Sequence, residues 1–574
     1  MKHLRTTLSV ILAASTLLVA CSDSSVAPES GSPDADIPVS GTPGANTPDA
    51  NTPDAGNGSD GVITDSMLAN DDYRAAAQSV SGNTLPVEAR GAAKNIILFV
   101  GDGMGISTVT AARILDGQLK GEPGEENQLS WGVMPFVGLS KTYNVDAQTA
   151  DSAGTMSAMM TGVKTDAGVF GVDEDVRRGQ CSSQAGNELI TALELAEIAG
   201  MSTGIVSTAR ITHATPAATY AKSVDRGWEN NAALTEEAIA QGCIDIALQL
   251  VSFEQRLEAR YPGLDVDGME VAMGGGRRNF LPNNAASNSN DTVSEVEGAR
   301  TDGLDLTLQW QSIYPQGVYI TDQAGFDAVN VNDTQHVLAL FDEDHMEYEA
   351  NRLNDLAGEP SLAQMTAKAI DLLDNNDRGY FLSVEAGRID HAHHAGSAFG
   401  ALTDTIEFSQ AVQVAMDASN PADTLIIVTA DHSHVFTIGG IAKRGNPILG
   451  LSVGIGADAP RLAEDGLPYT TLAYANGLGF RNFGENTNFD RSYTLEPDAG
   501  RKDLSFVDTA SSGFHQESLV PLSSETHSGE DVGIYAQGPG ASMVTGTSEQ
   551  SVLFHVMEFA ADLEGRANSV LNER

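Results

Sequence analysis

The chain has 574 residues, of which 19% are charged and 41% hydrophobic, and these proportions are ordinary for a globular protein. Its 32 Lys and Arg side chains are outnumbered by 78 Asp and Glu side chains, which gives a formal net charge of −46 at pH 7. Because such a surface repels polyanions, we expect no nucleic-acid partner, and an anionic substrate must be bound at a local positive centre.

The N-terminal segment predicts export and lipid anchoring. Lys2 and Arg5 precede an apolar core that is too short for a comfortable membrane span and is typical of a secretory signal. The sequence Leu18-Val-Ala-Cys21 resembles a bacterial lipoprotein signal, so we expect residues 1–20 to be a signal peptide and Cys21 to carry the lipid. Ser22 resembles the pattern that sorts such proteins to the outer membrane. Simple cleavage that leaves a free Cys21 is the alternative.

The segment of residues 21–60 is rich in Pro, Gly, Ser, Thr, Asn and Asp, and repeats Asn-Thr-Pro-Asp-Ala at 46–50 and 51–55. It has too few apolar side chains to bury a core, so it is predicted to be a disordered tether. Residues 1–60 contain two basic and seven acidic side chains, which leaves a net charge of −41 on residues 61–574. A salty habitat is one explanation for such a surface.

The first predicted buried strand, at residues 94–100, ends in Gly101-Asp102-Gly103-Met104-Gly105. Glycine permits a tight turn that presents Asp102. The glycine spacing does not fit a dinucleotide-binding fingerprint, so presentation of a carboxylate to a metal ion is the favoured interpretation.

Ser152 is predicted to lie in the first turn of a helix. Polar capping residues precede an Ala/Met-rich stretch that stops near Gly162. Backbone N–H groups and the helix dipole at that position favour a developing alkoxide and a bound phosphate. An ordinary serine at a helix start is the alternative.

Further apolar segments, predicted as strands at 203–208, 380–384, 424–429 and 532–535, also lie next to polar residues suited to catalysis. The segment at 380–384 is expected to end in a loop that contains Glu385, Asp390 and His394. A helix is predicted at 403–416 and a closing helix from Ser548, whereas 229–309 reads as scaffold and loops. Because the carboxyl ends of parallel strands lie at one edge of a sheet, ligands from distant segments should converge there, within a single catalytic unit of residues 61–574.

In this order, the polar residues resemble those of alkaline phosphatases from about Lys94 to Leu563. The matching residues are Asp102, Asp151-Ser152-Ala153, His213-Ala-Thr215, Arg226, Glu385, Asp390, His394, Asp431-His432 and Thr526-His527. The resemblance implies a three-layer α/β sandwich, in which helices cover both faces of a large, mostly parallel central sheet. It also implies a homodimer and a small inserted, crown-like region at about 436–524.

The resemblance implies a site for two zinc ions and one magnesium ion. The implied zinc ligands are Asp390, His394 and His527 for one ion and Asp102, Asp431 and His432 for the other. The implied magnesium ligands are Asp102, Thr215 and Glu385. Ser152 would form a phosphoserine intermediate and Arg226 would bind the phosphoryl group. His213 and His391, which stand where the bacterial prototype has Asp and Lys, would tune the magnesium site.

These roles imply hydrolysis of many small phosphate monoesters. A sulfatase would need Pro and Arg after its nucleophile, and Ser152-Ala-Gly-Thr-Met156 lacks both. A phosphodiesterase would usually lack the Thr215 and Glu385 ligands. A noncatalytic lipoprotein that retains zinc is the third alternative, against which the intact Ser152 and Arg226 speak.

The remaining motifs concern cysteines, histidines and calcium. In an exported protein Cys181 and Cys243 are expected to form a disulfide, and the pair matches one in animal-type alkaline phosphatases. His391, His393 and His434 are expected to lie behind the metal ligands or on the surface. Phe341-Asp342 and Glu359-Pro360 lie where animal-type members carry calcium, which makes Ca²⁺ a candidate cofactor.

Overall fold

A ten-stranded sheet forms the centre of the computed structural model, which describes residues 62–81, 90–290 and 292–573. The predicted signal peptide (1–20), the lipidated Cys21 and the tether (21–60) lie outside these residues. The strands in chain order are β1 Asn95–Gly101, β2 Phe136–Lys141, β3 Ser202–Arg210, β4 Val271–Gly275, β5 Val318–Ile320, β6 Val337–Leu340, β7 Tyr380–Ala386, β8 Thr424–Ala430, β9 Ser433–His434, β10 Phe436–Ile438, β11 Leu472–Gly477, β12 Arg481–Asn482, β13 Phe514–His515, β14 Ser518–Pro521, β15 His527–Ser528, β16 Val532–Gln537 and β17 Gly546–Glu549.

The central sheet has the strand order β17-β2-β16-β8-β1-β7-β3-β4-β6-β5. All neighbours from β8 to β5 are parallel, whereas β16 runs antiparallel to β8 and β2. At the edge, β17 pairs with β2 in parallel. The sheet is therefore mostly parallel, as predicted.

Helices cover the sheet on both sides. The α-helices in chain order are α1 Asp65–Ala69, α2 Asp71–Ser81, α3 Ile106–Leu119, α4 Ser152–Thr161, α5 Ala192–Ile198, α6 Ala214–Ala217, α7 Glu236–Ala240, α8 Ile246–Val251, α9 Phe253–Arg260, α10 Leu306–Ile313, α11 Gln323–Ala328, α12 Leu362–Leu373, α13 Arg388–His394, α14 Ala398–Ala418, α15 Val552–Ala561 and α16 Leu563–Asn572.

Strand β1 shows why three layers form. Its side chains alternate between faces, so Ile96 and Leu98 pack into the core that contains α4, α5 and α15, whereas Ile97 and Phe99 pack into the core that contains α3, α12 and α14. Both sets are fully buried. A strand that is buried at every position needs helices packed on both faces, which confirms the α/β three-layer sandwich.

Four sequence-based expectations differ in detail from the structure. Ser548 lies in β17, where pairing with β2 keeps the chain extended, and the closing helices begin only at Val552. The segment read as scaffold and loops contains the buried strand Val271–Gly275. The segment after Glu385 forms helix α13 rather than an open loop. The predicted helix at 403–416 is longer, because the Ser397 hydroxyl accepts the Gly400 N–H at 3.1 Å and caps it upstream.

Within the described residues of the segment 436–524, the strands form small sheets apart from the central one. Strands β10, β11 and β14 make a three-stranded sheet, and β12 pairs with β13. Across the described parts of the chain, no helix combines the length and the apolar composition that a membrane crossing requires.

The two cysteines at 181 and 243 are joined by a disulfide that closes a loop with a sequence separation of 62 residues. Cys181 is buried in a small apolar cluster with Val169, Val172 and Trp228. The bond therefore ties the chain that follows α4 to the segment between α7 and α8.

Replacing both Cys181 and Cys243 with serine should lower the melting temperature. On chain-entropy estimates, a cross-link that closes a loop of this length raises the free energy of unfolding by about 4 kcal/mol. Calorimetry without reductant measures the difference. Reductant should bring the parent protein toward the melting temperature of the double variant and leave that variant unchanged. Equal melting temperatures without reductant would contradict the expected contribution.

Candidate metal centre

Acidic side chains are buried together at the carboxyl ends of β1, β7 and β8. Gly101, the last residue of β1, pairs with Ala386 of β7 and Ala430 of β8, so the three strands end level with one another. Asp102 and Asp431 follow directly and are 0% exposed, and Glu385 is 2% exposed. The register thus places three carboxylates at one point on the sheet edge.

His432 is the centre of the first group. Its Nε2 atom lies 3.4 Å from Asp102 Oδ1, 3.4 Å from Asp431 Oδ2 and 3.1 Å from Ser152 Oγ. The other Asp431 oxygen, Oδ1, accepts the N–H groups of Gly103 at 3.0 Å and His432 at 2.9 Å. These two hydrogen bonds hold Asp431 with Oδ2 toward the group. Asp102, Asp431 and His432, which are predicted to bind one of the two zinc ions, thus lie close to the predicted nucleophile Ser152.

Ser152 is the first residue of α4, and its helix cap also holds Arg226. The Asp151 Oδ1 atom accepts the Gly154 N–H at 3.1 Å, which caps the helix. Its Oδ2 atom accepts the Gly168 N–H at 2.9 Å and an Arg226 guanidinium N–H at 3.1 Å. One aspartate therefore fixes both the start of the nucleophile helix and the guanidinium.

The second group is built on helix α13. Asp390 and His394 are four residues apart, so they share one helix face. The Asp390 Oδ1 atom lies 3.3 Å from Nε2 of His394 and 3.3 Å from Nε2 of His527, and the two Nε2 atoms are 3.1 Å apart. The Nδ1 atoms lie 2.6 Å and 2.7 Å from the backbone oxygens of Glu525 and Ala150, respectively. Donation from Nδ1–H to these carbonyls leaves both Nε2 lone pairs facing the group.

His434, which is expected behind the metal ligands or on the surface, is buried and contacts the predicted ligand Asp390. Its Nε2 lies 2.7 Å from Asp390 Oδ1 and its Nδ1 lies 2.5 Å from Glu525 Oε2. Burial alone lowers the pKa of His434, but the two carboxylates outweigh it and raise that pKa to about 10. A Cβ atom on Gly103 would overlap the His434 ring, so the glycine after Asp102 is required for this approach. The sequence signal for this position is that His434 lies two residues after His432 in Asp431-His-Ser-His434, so both side chains can point to the same side of an extended chain.

A third group combines Asp102, His213 and Glu385, whose ligand atoms lie within 4.8 Å of one another. One Glu385 oxygen accepts the Ser207 hydroxyl, whereas Oε1 is buried without a hydrogen-bond partner. The Thr215 hydroxyl and both Asp102 oxygens are also buried without one. Buried oxygen atoms without a hydrogen-bond partner fit a hard divalent cation.

Two further histidines, His391 and His345, lie beside this third group. Within the group, the His213 Nε2 atom is 3.1 Å from an Arg226 guanidinium nitrogen. The His213 ring centroid is 5.4 Å from that of His391, and the His391 centroid is 4.0 Å from that of His345. His345 was not singled out from the sequence, because only the fold brings its segment to this edge.

The charges of the site require compensation. Burial, reinforced by the Asp431 and Asp390 carboxylates, raises the pKa of Asp102 well above its usual value, and burial raises the pKa of Glu385 to about 8. Burial alone would raise the pKa of Asp390 as well, but its imidazole neighbours, His394 first, hold that pKa well below the usual value. The nitrogen and oxygen donors of the first two groups suit zinc, and the oxygen donors of the third suit magnesium.

The two carboxylates of the predicted calcium site differ in burial, because Glu359 is buried and Asp342 is half-buried. Burial, followed by the Asp342 carboxylate, raises the pKa of Glu359 well above its usual value. Among the described residues, however, Asp342 and Glu359 do not belong to a group of three ligands with atoms within 4.8 Å of one another. His393, which is fully buried, contacts the Tyr474 hydroxyl through Nδ1 at 2.8 Å and the Thr108 hydroxyl through Nε2 at 2.9 Å.

The mostly parallel α/β sandwich, with metal-competent side chains clustered at one sheet edge, defines the class of the protein as an α/β metalloenzyme. The alkaline phosphatase family matches residues 93–563, and the chain belongs to this family. It is similar to the human tissue-nonspecific alkaline phosphatase, with 42% identity over 473 residues that cover 82% of this chain and 84% of the human protein. The alkaline phosphatase of Gadus morhua is 40% identical over 82% of this chain and 92% of its own.

Solved structures agree with the fold. The Thermus thermophilus alkaline phosphatase has a TM-score of 0.56 at 23% identity and covers 85% of this chain and 97% of its own. The enzyme of the Antarctic bacterium TAB5 has a TM-score of 0.52 at 20% identity and covers 82% and 99%, respectively. The protein is therefore a phosphatase of this family, which acts on phosphate monoesters and uses divalent metal ions.

Replacing Asp102 with asparagine should have opposite effects on the metal-free and the metal-loaded protein. Without metal, the change removes a buried charge that neighbouring carboxylates repel, so the melting temperature should rise. With metal, it removes a predicted ligand and the melting temperature should fall. Scanning calorimetry with chelator and with added zinc and magnesium measures both.

The matched control is Asp371→Asn, which neutralises an exposed carboxylate and should change neither melting temperature by much. A fall for Asp102→Asn in the metal-free protein would contradict the view that the carboxylates repel each other there.

Proposed function

We propose that this phosphatase hydrolyses phosphate monoesters through a phosphoserine intermediate on Ser152, at a site for two zinc ions and one magnesium ion. The observation that carries the proposal is the position of Ser152 Oγ, 3.1 Å from His432 Nε2 at the start of α4. The Arg226 guanidinium donates to the same Asp151 that caps this helix, so it is held next to the helix start. A nucleophile, a phosphate-binding cation and metal ligands thus lie together.

The unpartnered oxygens and converging imidazoles fit the metal ions that the family uses. Asp390, His394 and His527 would hold one zinc ion, and Asp102, Asp431 and His432 the other. Asp102, Thr215 and Glu385 would hold magnesium. When bound, two adjacent zinc ions supply Lewis acidity to the attacking and leaving oxygens of an in-line displacement.

The side chains of the protein orient the reaction. The Arg226 guanidinium binds two nonbridging phosphoryl oxygens through its planar fork. Ser152 Oγ loses its proton and bonds to phosphorus as the bond between phosphorus and the leaving oxygen breaks, and the leaving oxygen gains a proton. Water then attacks phosphorus, the bond to Oγ breaks, and inorganic phosphate leaves as Ser152 regains a proton. Because these contacts are to the phosphoryl group, many monoesters should be accepted.

The alternatives receive less support. The segment after Ser152 has no sulfatase motif, and Thr215 and Glu385 are magnesium ligands of the proposed site that a diesterase would usually lack. Membership of the phosphatase family argues against a noncatalytic zinc-retaining lipoprotein.

Localisation, assembly and calcium are further parts of the proposal. We infer export, removal of residues 1–20, lipid anchoring at Cys21 to the outer membrane, and a tether over 21–60 from the sequence pattern. The homodimer and the crown-like role of 436–524 follow from the resemblance to the family. The buried Glu359 carboxylate and the half-buried Asp342 carboxylate support Ca²⁺ as an additional ion.

Ser152→Ala should remove the phosphoserine intermediate and most of the hydrolysis of 4-nitrophenyl phosphate, while the zinc content stays near that of the parent, because six other side chains hold the two ions. Rapid acid quench followed by phosphopeptide mapping, together with metal analysis, measures both. Ser79→Ala, at an exposed helical serine, is the control. Full activity, or phosphate trapped on another residue, would contradict the role of Ser152.

His213→Asp should tighten magnesium binding by on the order of tenfold, because a carboxylate replaces a neutral imidazole beside a hard cation. Calorimetric titration of zinc-loaded protein with Mg²⁺ measures the affinity directly, and the activation midpoint measures its effect on the rate. Zinc content should not change. Equal magnesium affinities in the two proteins would show that residue 213 does not tune the site.

A further inference from the structure

A second arginine lies beside the segment that carries the Asp151–Arg226 pair. The link between them is Gly168, whose N–H is donated to Asp151 Oδ2 at 2.9 Å and whose carbonyl accepts the Arg226 backbone N–H at 2.8 Å. Gly168 therefore belongs to the wall of the proposed phosphate site.

Arg178 occupies the space that a side chain at position 168 would fill. Gly168 has a φ of +83°, and a Cβ atom built on it would lie closer than 3.0 Å to three atoms, all from the Arg178 guanidinium group. Any larger residue at 168 would displace this group. The glycine thus lets a guanidinium approach the backbone that positions Asp151 and Arg226.

The main chain around Arg178 is held in place, while its side chain reaches solvent. The Gly179 N–H is donated to the Val224 carbonyl at 2.8 Å, and the disulfide at Cys181 follows soon after. The Arg178 side chain is 53% exposed, and its Nε lies 3.4 Å from Asp225 Oδ2. That distance is longer than the 2.7–2.9 Å of a close charge-assisted hydrogen bond, so the pairing leaves the guanidinium able to turn toward an anion.

The negative charge of the protein makes a cation at this position important for the binding of anionic substrates. With a net charge of −46, the chain as a whole disfavours approach of a multiply charged substrate. The phosphoryl group itself is bound by Arg226 and the metal ions in the proposed function. A second negative group on the same substrate needs its own positive partner, and Arg178 lies beside the wall of that site.

We propose that Arg178 is a specificity-determining residue, which favours phosphate monoesters whose leaving group carries a second negative charge, a carboxylate or a phosphate, close to the ester oxygen. The inference rests on the proposed function. The planar guanidinium suits bidentate contact with either kind of anion. Arg178 contacts the leaving group and not the transferred phosphoryl group. The hydrolysis of substrates with an uncharged leaving group should therefore not depend on Arg178.

Three substrates separate these contributions. The group esterified to the phosphate is anionic in phosphoglycolate and cationic in O-phosphoethanolamine. In 4-nitrophenyl phosphate that group is uncharged. In Arg178→Ala, kcat/KM for phosphoglycolate should fall about fivefold to tenfold, as expected for loss of a charge partner at a partly exposed position. The value for 4-nitrophenyl phosphate should stay within about twofold, and that for O-phosphoethanolamine should stay level or rise.

Arg177→Ala is the matched control, because Arg177 is the neighbouring exposed arginine and contributes none of the three atoms nearest to the Gly168 Cβ position. It removes the same charge and should leave the ratio of phosphoglycolate to O-phosphoethanolamine unchanged. Arg178→Lys should keep part of the ratio, because it retains the charge without the fork. Added NaCl should shrink the ratio in the parent and have less effect in Arg178→Ala.

An equal loss for all three substrates in Arg178→Ala, or the same change of ratio in Arg177→Ala, would overturn the role of Arg178. Failure of the metal-loaded parent protein to hydrolyse any of the three would instead overturn the proposed function on which the inference rests. The two failures are therefore distinguishable in one set of assays.

Discussion

Burial of several carboxylates at one edge of the sheet is the constraint on which this structure depends. Asp102, Glu385, Asp390 and Asp431 are all less than 5% exposed and lie at or just beyond the ends of three adjacent parallel strands. Ionised carboxylates without compensation are strongly disfavoured in such surroundings, and mutual repulsion adds to the cost of their burial. Nearby positive charge, which bound divalent cations would supply, would allow these carboxylates to stay ionised in the folded protein.

The residues around these carboxylates are positioned to bring metal ligands and positive charge close to them. Backbone carbonyls of Glu525 and Ala150 orient His394 and His527, so that nitrogen lone pairs face the carboxylates rather than solvent. His434, held between Asp390 and Glu525, supplies a positive charge of the protein's own. Helix α4, which begins at the proposed nucleophile Ser152, and the proposed phosphate-binding Arg226 are linked through hydrogen bonds to Asp151.

The sequence identifies the parts of this arrangement that depend on local pattern. Apolar runs ending in Asp102, Glu385 and Asp431 predict parallel strands, and the cap-like Asp151 predicts that Ser152 begins a helix. The helix at 388–394 could not be read this way, because its pattern is dominated by charged and polar residues whose burial depends on tertiary packing. The roles of His434 and Arg178 depend on contacts with residues distant in the sequence or on the missing side chain of a glycine. The ligand sets and their assignment to particular ions came from the resemblance to a family rather than from spacing.

The two neighbouring zinc ions are proposed to lie in the groups around His432 and around Asp390. Anomalous diffraction from crystals of the zinc-loaded protein, with data collected on either side of the zinc absorption edge, tests this proposal most directly. We predict two zinc peaks, one within bonding distance of Asp102, Asp431 and His432 and the other of Asp390, His394 and His527. A single peak, or zinc bound away from these residues, would contradict the account.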